Sequence, residues 1–245
     1  MSMRALLLAA GLGTRLRPLT DSVPKCLVEI DGRPLLDHWI ELLAGGGIVD
    51  ILVNLHYLAD TVRAHIESRR YPARVTSVYE ESLLGTGGTL LRNRAFFGKE
   101  PGMLVHADNL SSFDPRAFVD RFLSRDSGIE ITMMTFRTDA PESCGIVELD
   151  GRGVVRAFHE KASEPPGDLA NAAVYIVSPV VIDFMAGLGR EVIDFSTEVL
   201  PRFLGRINTF HNGTYHRDVG TMESLLAARR EYRGLPATRI SYGVN

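Results

Sequence analysis

Residues 4–20 read Arg4-Ala5-Leu6-Leu7-Leu8-Ala9-Ala10-Gly11-Leu12-Gly13-Thr14-Arg15-Leu16-Arg17-Pro18-Leu19-Thr20, and Pro24-Lys25 follows shortly after. The apolar half is a short run ended by glycine, as expected of a strand buried on both faces. It feeds directly into a glycine-containing loop studded with cations. Gly11 and Gly13 let backbone approach a ligand closely, and their amides can serve as phosphate donors. Arg15 offers a planar fork to phosphate oxygens and Lys25 a compact point charge. Residues 4–25 hold four cations (Arg4, Arg15, Arg17, Lys25) against one acid, Asp21.

Outward from this stretch, strands alternate with helices. Leu35 to Ala44 has helical periodicity and stops at Gly45-Gly46-Gly47. Asp50 to Leu55 reads as a strand, Leu58 to Ser68 as a helix, Arg74 to Tyr79 and Gly102 to Ala107 as strands, and Pro115 to Ser124 as a helix. This alternation predicts an α/β fold, Rossmann-like, with a mostly parallel sheet covered on both faces. After about residue 128 the rhythm changes. Ile129 to Arg137, Cys144 to Leu149, Val154 to His159 and Ala170 to Val177 are strand-like and closely spaced, which predicts a hairpin-rich insertion. Pro179 to Leu188, Phe195 to Phe203 and Thr221 to Tyr232 read as helices, the last capped by its hydroxyl residue.

The chain has 245 residues, enough for one elaborated domain. The expected organisation is a single domain over 1–233, divided into halves of about 1–128 and about 129–220, with a tail over 234–245. A tail of that length is too short for an appended solenoid. With 27 basic and 30 acidic side chains the net charge is −3, which excludes a broadly cationic nucleic-acid binder. Two cysteines, Cys26 and Cys144, cannot build a disulfide framework. The apolar run Ala5 to Ala10 is far shorter than a membrane span, and no signal-peptide pattern opens the chain. A cytoplasmic protein without a membrane partner is expected.

Two look-alike motifs fail. A dinucleotide fingerprint needs glycine where Leu16 stands, and a Walker loop needs lysine and a hydroxyl after the last glycine, where Thr14-Arg15 stand. The longer string from Leu8 to Thr20, with Pro24-Lys25 and Gly32-Arg33-Pro34-Leu35, resembles the signature of the sugar-1-phosphate nucleotidyltransferases. The resemblance runs to about Tyr232. It implies a GT-A-like nucleotidyltransferase fold whose strand-rich insertion binds the sugar. It also implies magnesium-dependent transfer of a nucleotidyl group from a nucleoside triphosphate to a sugar 1-phosphate, releasing pyrophosphate.

Carried over on the same resemblance, Leu8, Ala10 and Gly11 lie near base and ribose. Gly13, Thr14, Arg15 and Lys25 hold the triphosphate, and Leu84-Gly85-Thr86-Gly87-Gly88 is a loop closing on the base ahead of a helix. Asp108 and Asp218 match the magnesium aspartates, although alanine at 107 replaces the usual glycine. Glu160, Lys161, Asn171 and the Gly145 amide match the sugar-phosphate contacts, with Ala162 where proline is common. Arg15, Lys25, Asp108 and Lys161 are the expected catalytic residues. The 84–88 loop is closest to guanylyl-transferring members acting on mannose- or heptose-type phosphates. Uridylyl or thymidylyl transfer, or a non-catalytic regulatory subunit on the same fold, are the alternatives. A homodimer is a working expectation that no motif reads out.

The residue types suit the reaction. The attacking phosphate oxygen is already an anion at neutral pH, so no general base is required. The obstacle is electrostatic, and catalysis is positioning and charge neutralisation. Trp39 and Phe96-Phe97 read as core, and Cys26 as a small packing residue. Asn54 and His56 end a strand at the sheet's ligand-facing edge without an assigned role.

Overall fold

A computed structural model describes residues 3–232; the expected tail over 234–245 lies outside them. Thirteen strands and seven helices are present among the described residues. The first half runs β1 (Arg4–Leu8), β2 (Glu29–Ile30), β3 (Arg33–Pro34), α1 (Leu35–Gly45), β4 (Asp50–Leu55), α2 (Ala59–Ser68), β5 (Arg74–Tyr79), α3 (Gly85–Arg92), α4 (Arg94–Phe97), β6 (Gly102–His106), β7 (Asn109–Ser112) and α5 (Pro115–Leu123). The second half runs β8 (Ile131–Arg137), β9 (Gly145–Leu149), β10 (Val155–Glu160), β11 (Leu169–Val177), α6 (Pro179–Gly187), β12 (Ile207–His211), β13 (Tyr215–Asp218) and α7 (Met222–Tyr232).

Strands β6-β1-β4-β5 form a parallel block. Alternate residues of β1 point to opposite faces, Ala5 and Leu7 into one core and Leu6 into another. That is why the strand is apolar throughout rather than alternating. Helices α1, α2 and α5 cover the first face through Trp39, Leu43, Val62 and Phe118. Helix α6 and the segment 193–203 cover the second through Val181, Met185, Ile193 and Phe195. Helix α5 starts where Asp114 accepts from the amides of Arg116 (2.9 Å) and Ala117 (3.3 Å), with Pro115 at the first position.

The strands after residue 128 extend the same nine-stranded sheet, in the order β10-β9-β11-β6-β1-β4-β5, with β8 on β11 and β12 on β8. Of the expected succession of hairpins, one pairs sequence neighbours, β9 with β10. Its turn is built on Asp150, whose carboxylate accepts from Arg152 N and Val154 N. Strand β11 instead pairs antiparallel with β6, β8 and β9 at once. Long-range pairing serves β11 because it is buried along most of its length, so its backbone N–H and C=O groups need partners on both edges.

The helix expected over 195–203 is a π-type turn (Phe195–Val199) followed by a 3₁₀ turn (Leu200–Phe203). Pro201 lacks the N–H an α-helix would need there. Among the described residues no helix is long and apolar enough to cross a membrane.

Candidate active site

The site lies at the carboxyl ends of the parallel strands, where an open α/β sheet presents its ligand-binding loops. A cavity of about 250 Å³ opens beside the end of β1 and brings together Leu8, Ala10, Gly11, Lys25, Gly85, Thr86 and Asp108 from the expected set. Ala9 N donates to Asn54 Oδ1 at 2.7 Å, which fixes the start of the loop against β4. Gly13 has φ +64, and a Cβ there would sit 2.9 Å from Thr20 Cγ2 and 3.2 Å from Lys25 Cβ. Its carbonyl accepts from Thr20 Oγ1 at 2.7 Å. Gly13 therefore lets the loop fold back onto the turn that carries Lys25. Gly11, by contrast, faces open space.

Lys25 is the electrostatic centre. Its Nζ lies 2.6 Å from Asp108 Oδ2 and 3.7 Å from Asp218 Oδ1. The lysine side chain is only 7% exposed, whereas the two carboxylates are 34% and 50% exposed. Burial works to raise the Asp108 carboxyl, but the Lys25 ammonium and its hydrogen bond outweigh this and hold it below the usual carboxylate range. Asp218 reaches Asp108 through a two-stranded ribbon: β13 pairs antiparallel with β7, setting Asp218 opposite Asn109. Trp39 Nε1 donates to Asn109 O at 2.8 Å, pinning that ribbon to α1.

Arg15 and Thr14 lie in a short 3₁₀ turn (Thr14–Leu16) outside the 250 Å³ cavity. Arg15 and Asp218 instead line a neighbouring cleft of about 790 Å³. Gly220 makes room for both: a Cβ there would meet Arg15 Nη2 and Asp218 Oδ2, each at 2.9 Å.

Gly85, Thr86, Gly87 and Gly88 open helix α3 rather than forming a loop ahead of it. The amides of Gly87 and Gly88 donate to Ile193 O at 2.9 and 3.1 Å, and Thr86 Oγ1 accepts from Phe195 N at 2.9 Å. A Cβ at Gly85 would meet Ile193 O at 2.5 Å, and one at Gly88 would meet Glu191 O at 2.1 Å. Close packing of the 191–195 segment on α3 accounts for these glycines, while Gly85 and Thr86 still line the cavity.

Three of the four expected sugar-phosphate residues are adjacent. Glu160 pairs with Gly145 across the β9–β10 hairpin. A Cβ at Gly145 would sit 2.6 Å from the Phe158 ring and 2.8 Å from Glu160 Oε2, so glycine is needed for that carboxylate to lie across the strand. Burial raises the Glu160 carboxyl pKa, against the opposing pull of Lys161. Lys161 stands in the left-handed region (φ +47) with its Nζ 3.9 Å from Glu160 Oε1. Asn171 is engaged internally: its Nδ2 donates to Tyr175 Oη at 2.6 Å and its Oδ1 accepts from Ala173 N at 3.0 Å. A bulge between Asn171 and Tyr175, with Ala173 at φ +54, makes that arrangement possible.

Glu80 is a residue that motif reading did not single out. It follows β5, lines the 250 Å³ cavity and is 5% exposed. Its Oε2 accepts one long hydrogen bond, from Asn54 Nδ2 at 3.3 Å, and its Oε1 is buried without a partner. The backbone on either side is held firmly: Glu80 N donates to Leu55 O at 2.8 Å, and His56 Nδ1 lies 2.8 Å from Glu80 O. The strand-end rule that pointed to Asn54 and His56 would have pointed to Glu80 as well. His106, at the end of β6, and His216, on β13, each carry a buried ring nitrogen without a partner.

The arrangement is an α/β sheet whose carboxyl edge gathers a glycine loop, a buried ammonium and facing carboxylates. Such an edge has the chemistry to hold anionic phosphate groups. The chain belongs to the nucleotidyl transferase family, whose model matches residues 4–234, as the resemblance read from the motifs implied. It is 30% identical to mannose-1-phosphate guanyltransferase 2 of Candida glabrata over 240 residues, covering 94% of this chain and 64% of that protein. It is 32% identical to mannose-1-phosphate guanylyltransferase of Mycobacterium tuberculosis over 227 residues, covering 91% and 62%. The chain thus spans under two thirds of the length of these relatives.

Among solved structures, a putative glucose-1-phosphate thymidylyltransferase from Bacillus anthracis superposes with a TM-score of 0.86 at 22% identity, covering 98% of each chain. HddC from Yersinia pseudotuberculosis, complexed with GMP-PN, gives 0.79 at 25% identity, covering 94% of this chain and 99% of that one.

Proposed function

We propose that this chain transfers a guanylyl group from GTP to a mannose- or heptose-type sugar 1-phosphate, giving a GDP-sugar and pyrophosphate. The observation that carries the reading is its likeness to relatives named mannose-1-phosphate guanyltransferases along more than nine tenths of its length. The cavity adds chemical support. Guanine presents two adjacent donors, N1–H and the 2-amino group, and a carboxylate can accept both. Glu80 has an unpartnered buried oxygen in the cavity wall to offer them.

In this reading a phosphate oxygen of the sugar phosphate attacks the α-phosphorus in line, and pyrophosphate departs. The nucleophile needs no deprotonation, so the chain's task is to hold two anions together. Gly11, Gly13 and Arg15 receive the triphosphate, and Lys25 supplies positive charge at the inner wall. Glu160 meets sugar hydroxyls and Lys161, on its exposed stem, meets the sugar phosphate.

Asp108 and Asp218 are the magnesium ligands in this proposal. The fit rests on their donor set: two carboxylates converge on one cationic group, as a hard oxygen-seeking ion requires. Among the described residues no cluster of three or more His, Cys, Asp or Glu could cage a metal. Bound at the two aspartates, magnesium would screen phosphate charge.

Residues up to about 128 would serve the nucleotide and those from about 129 to 220 the sugar phosphate, in a cytoplasmic enzyme. Pyrophosphate release from GTP, UTP, dTTP, CTP and ATP across a panel of sugar 1-phosphates tests the proposal. Turnover with GTP and a manno-configured phosphate is expected, and turnover confined to another base would overturn the guanylyl assignment.

A further inference from the structure

We infer that Lys25 is the resident counter-ion of the magnesium carboxylates, and that a divalent cation displaces its ammonium when nucleotide arrives. The inference rests on the reading of Asp108 and Asp218 as metal ligands and adds an order of assembly to it. The ammonium lies against both carboxylates, 2.6 Å from Asp108 and 3.7 Å from Asp218. It is buried, and the carboxylates are the more exposed members, so the lysine closes the inner side of the pair. A divalent ion binding both oxygens at about 2 Å would stand almost against that ammonium. Like charges so close in a partly buried site repel strongly. Lysine and metal therefore compete for one pair of carboxylates.

The lysine has another place to go. Its backbone is fixed by a short 3₁₀ turn (Lys25–Leu27), with Leu27 N donating to Pro24 O at 2.8 Å and Val28 N to Lys25 O at 3.1 Å. The ammonium sits on a flexible four-carbon stem, so a stronger anionic partner can draw it away while the backbone stays fixed. Lys25 also lines the cavity beside Gly11. A polyphosphate bound there gives the ammonium a second set of anionic oxygens, and its departure uncovers both aspartates. Nucleotide and metal then bind with positive coupling, and the coupling is reciprocal. The carboxylates are never left facing each other without a cation, which would cost stability in a partly buried site.

The test is Mn²⁺ binding, measured by titration calorimetry and electron paramagnetic resonance on the whole chain without nucleotide. Lys25→Met removes the competing charge, and Mn²⁺ should bind it about tenfold or more tighter than the wild type. Lys25→Arg keeps a charge and should show no tightening. Lys25→Gln is a second neutral variant against a folding defect in the first. Mn²⁺ should raise the melting temperature of either neutral variant more than that of the wild type.

Equal Mn²⁺ affinity in wild type and neutral variants would overturn the inference, as would equal tightening in Lys25→Arg. Failure of every form to bind Mn²⁺ at millimolar concentration would also overturn it. None of these readouts depends on turnover, so failure of the guanylyl-transfer assay is distinguishable from failure here.

Discussion

Replacing Glu80 by glutamine removes one charge and half of an acceptor pair while keeping the side-chain shape. This carboxylate is 5% exposed, holds one hydrogen bond of 3.3 Å from Asn54 and leaves Oε1 without a partner. A buried carboxylate so poorly satisfied costs folding free energy. Its neutral replacement should therefore leave the melting temperature unchanged or higher. Bound guanine supplies the missing donors. A hydrogen bond to a charged group contributes about 1.5–3 kcal/mol, so its loss should lower kcat/KM for GTP by about 10- to 150-fold.

The decisive comparison is GTP with inosine triphosphate, which keeps N1–H and lacks the 2-amino group. The wild type should prefer GTP by about tenfold, the value of one such contact. In Glu80→Gln the amide can accept one donor and turns its own N–H groups toward the other, so the preference should fall to near unity. The assay is pyrophosphate release with both nucleotides at saturating sugar phosphate, with thermal melting of each protein alongside. An unchanged GTP-to-ITP ratio in the variant would refute the role assigned to Glu80. A lowered melting temperature with equal losses for both nucleotides would reduce Glu80 to a structural residue.

Other outcomes follow from packing and titration. Gly88→Ala places a Cβ 2.1 Å from the Glu191 carbonyl, so backbone must move. The overpacking penalty of about 1–3 kcal/mol should exceed the roughly 1 kcal/mol gained in helix propensity and lower the melting temperature by several degrees. Gly11→Ala enters open space and should leave it unchanged. Burial pushes the imidazoles of His38 and His106 below their ordinary value and that of His216 down to about 3. A base whose folded pKa is depressed stabilises the fold fully above its unfolded value near 6.5 and loses that contribution as pH falls below it. The unfolding free energy from urea titration, and its midpoint with it, should therefore drop between pH 7 and 5, the free energy by up to about 1.4 kcal/mol per pH unit for His216. His216→Gln should flatten the slope, and a midpoint independent of pH in that window would contradict the assignment.

The parts of the fold legible in the sequence are those whose signal is local. Strands β4 and β5 coincide with the expected runs because apolar or β-branched residues end there at polar or glycine punctuation. Thr221 caps α7 as its hydroxyl implied, accepting from Ser224 N at 3.2 Å. Strands β7 and β12 escaped notice because their stabilisation is remote. Asn109–Ser112 is polar, and β12 contains a buried Asn208 whose Oδ1 accepts from Thr132 Oγ1 at 2.6 Å in a parallel neighbour 76 residues away. The missing β7–β13 ribbon is also what brings Asp218 to Asp108. The family resemblance could point to both aspartates but could not say how they meet.

The same division runs through the site. Phosphate recognition, as proposed, uses residue types that advertise themselves: glycines that free the backbone, and cations where the net charge is negative. Base selection, as proposed, rests on a single carboxylate within Tyr79-Glu80-Glu81, indistinguishable in sequence from a solvated surface acid. Glu80 differs because β4 and β5 pair in register through Leu55 and Tyr79, which brings the next residue against Asn54 in the cavity wall. Sheet register thus turns an ordinary acid into a buried, half-paired one. Lys25 is the converse case: the family resemblance marks it as a phosphate ligand, and the folded chain pairs it with two carboxylates. Lys25 thus has carboxylate partners within the fold, whereas Glu80 keeps a buried oxygen without one, which separates a group that must be displaced from one that waits to be satisfied.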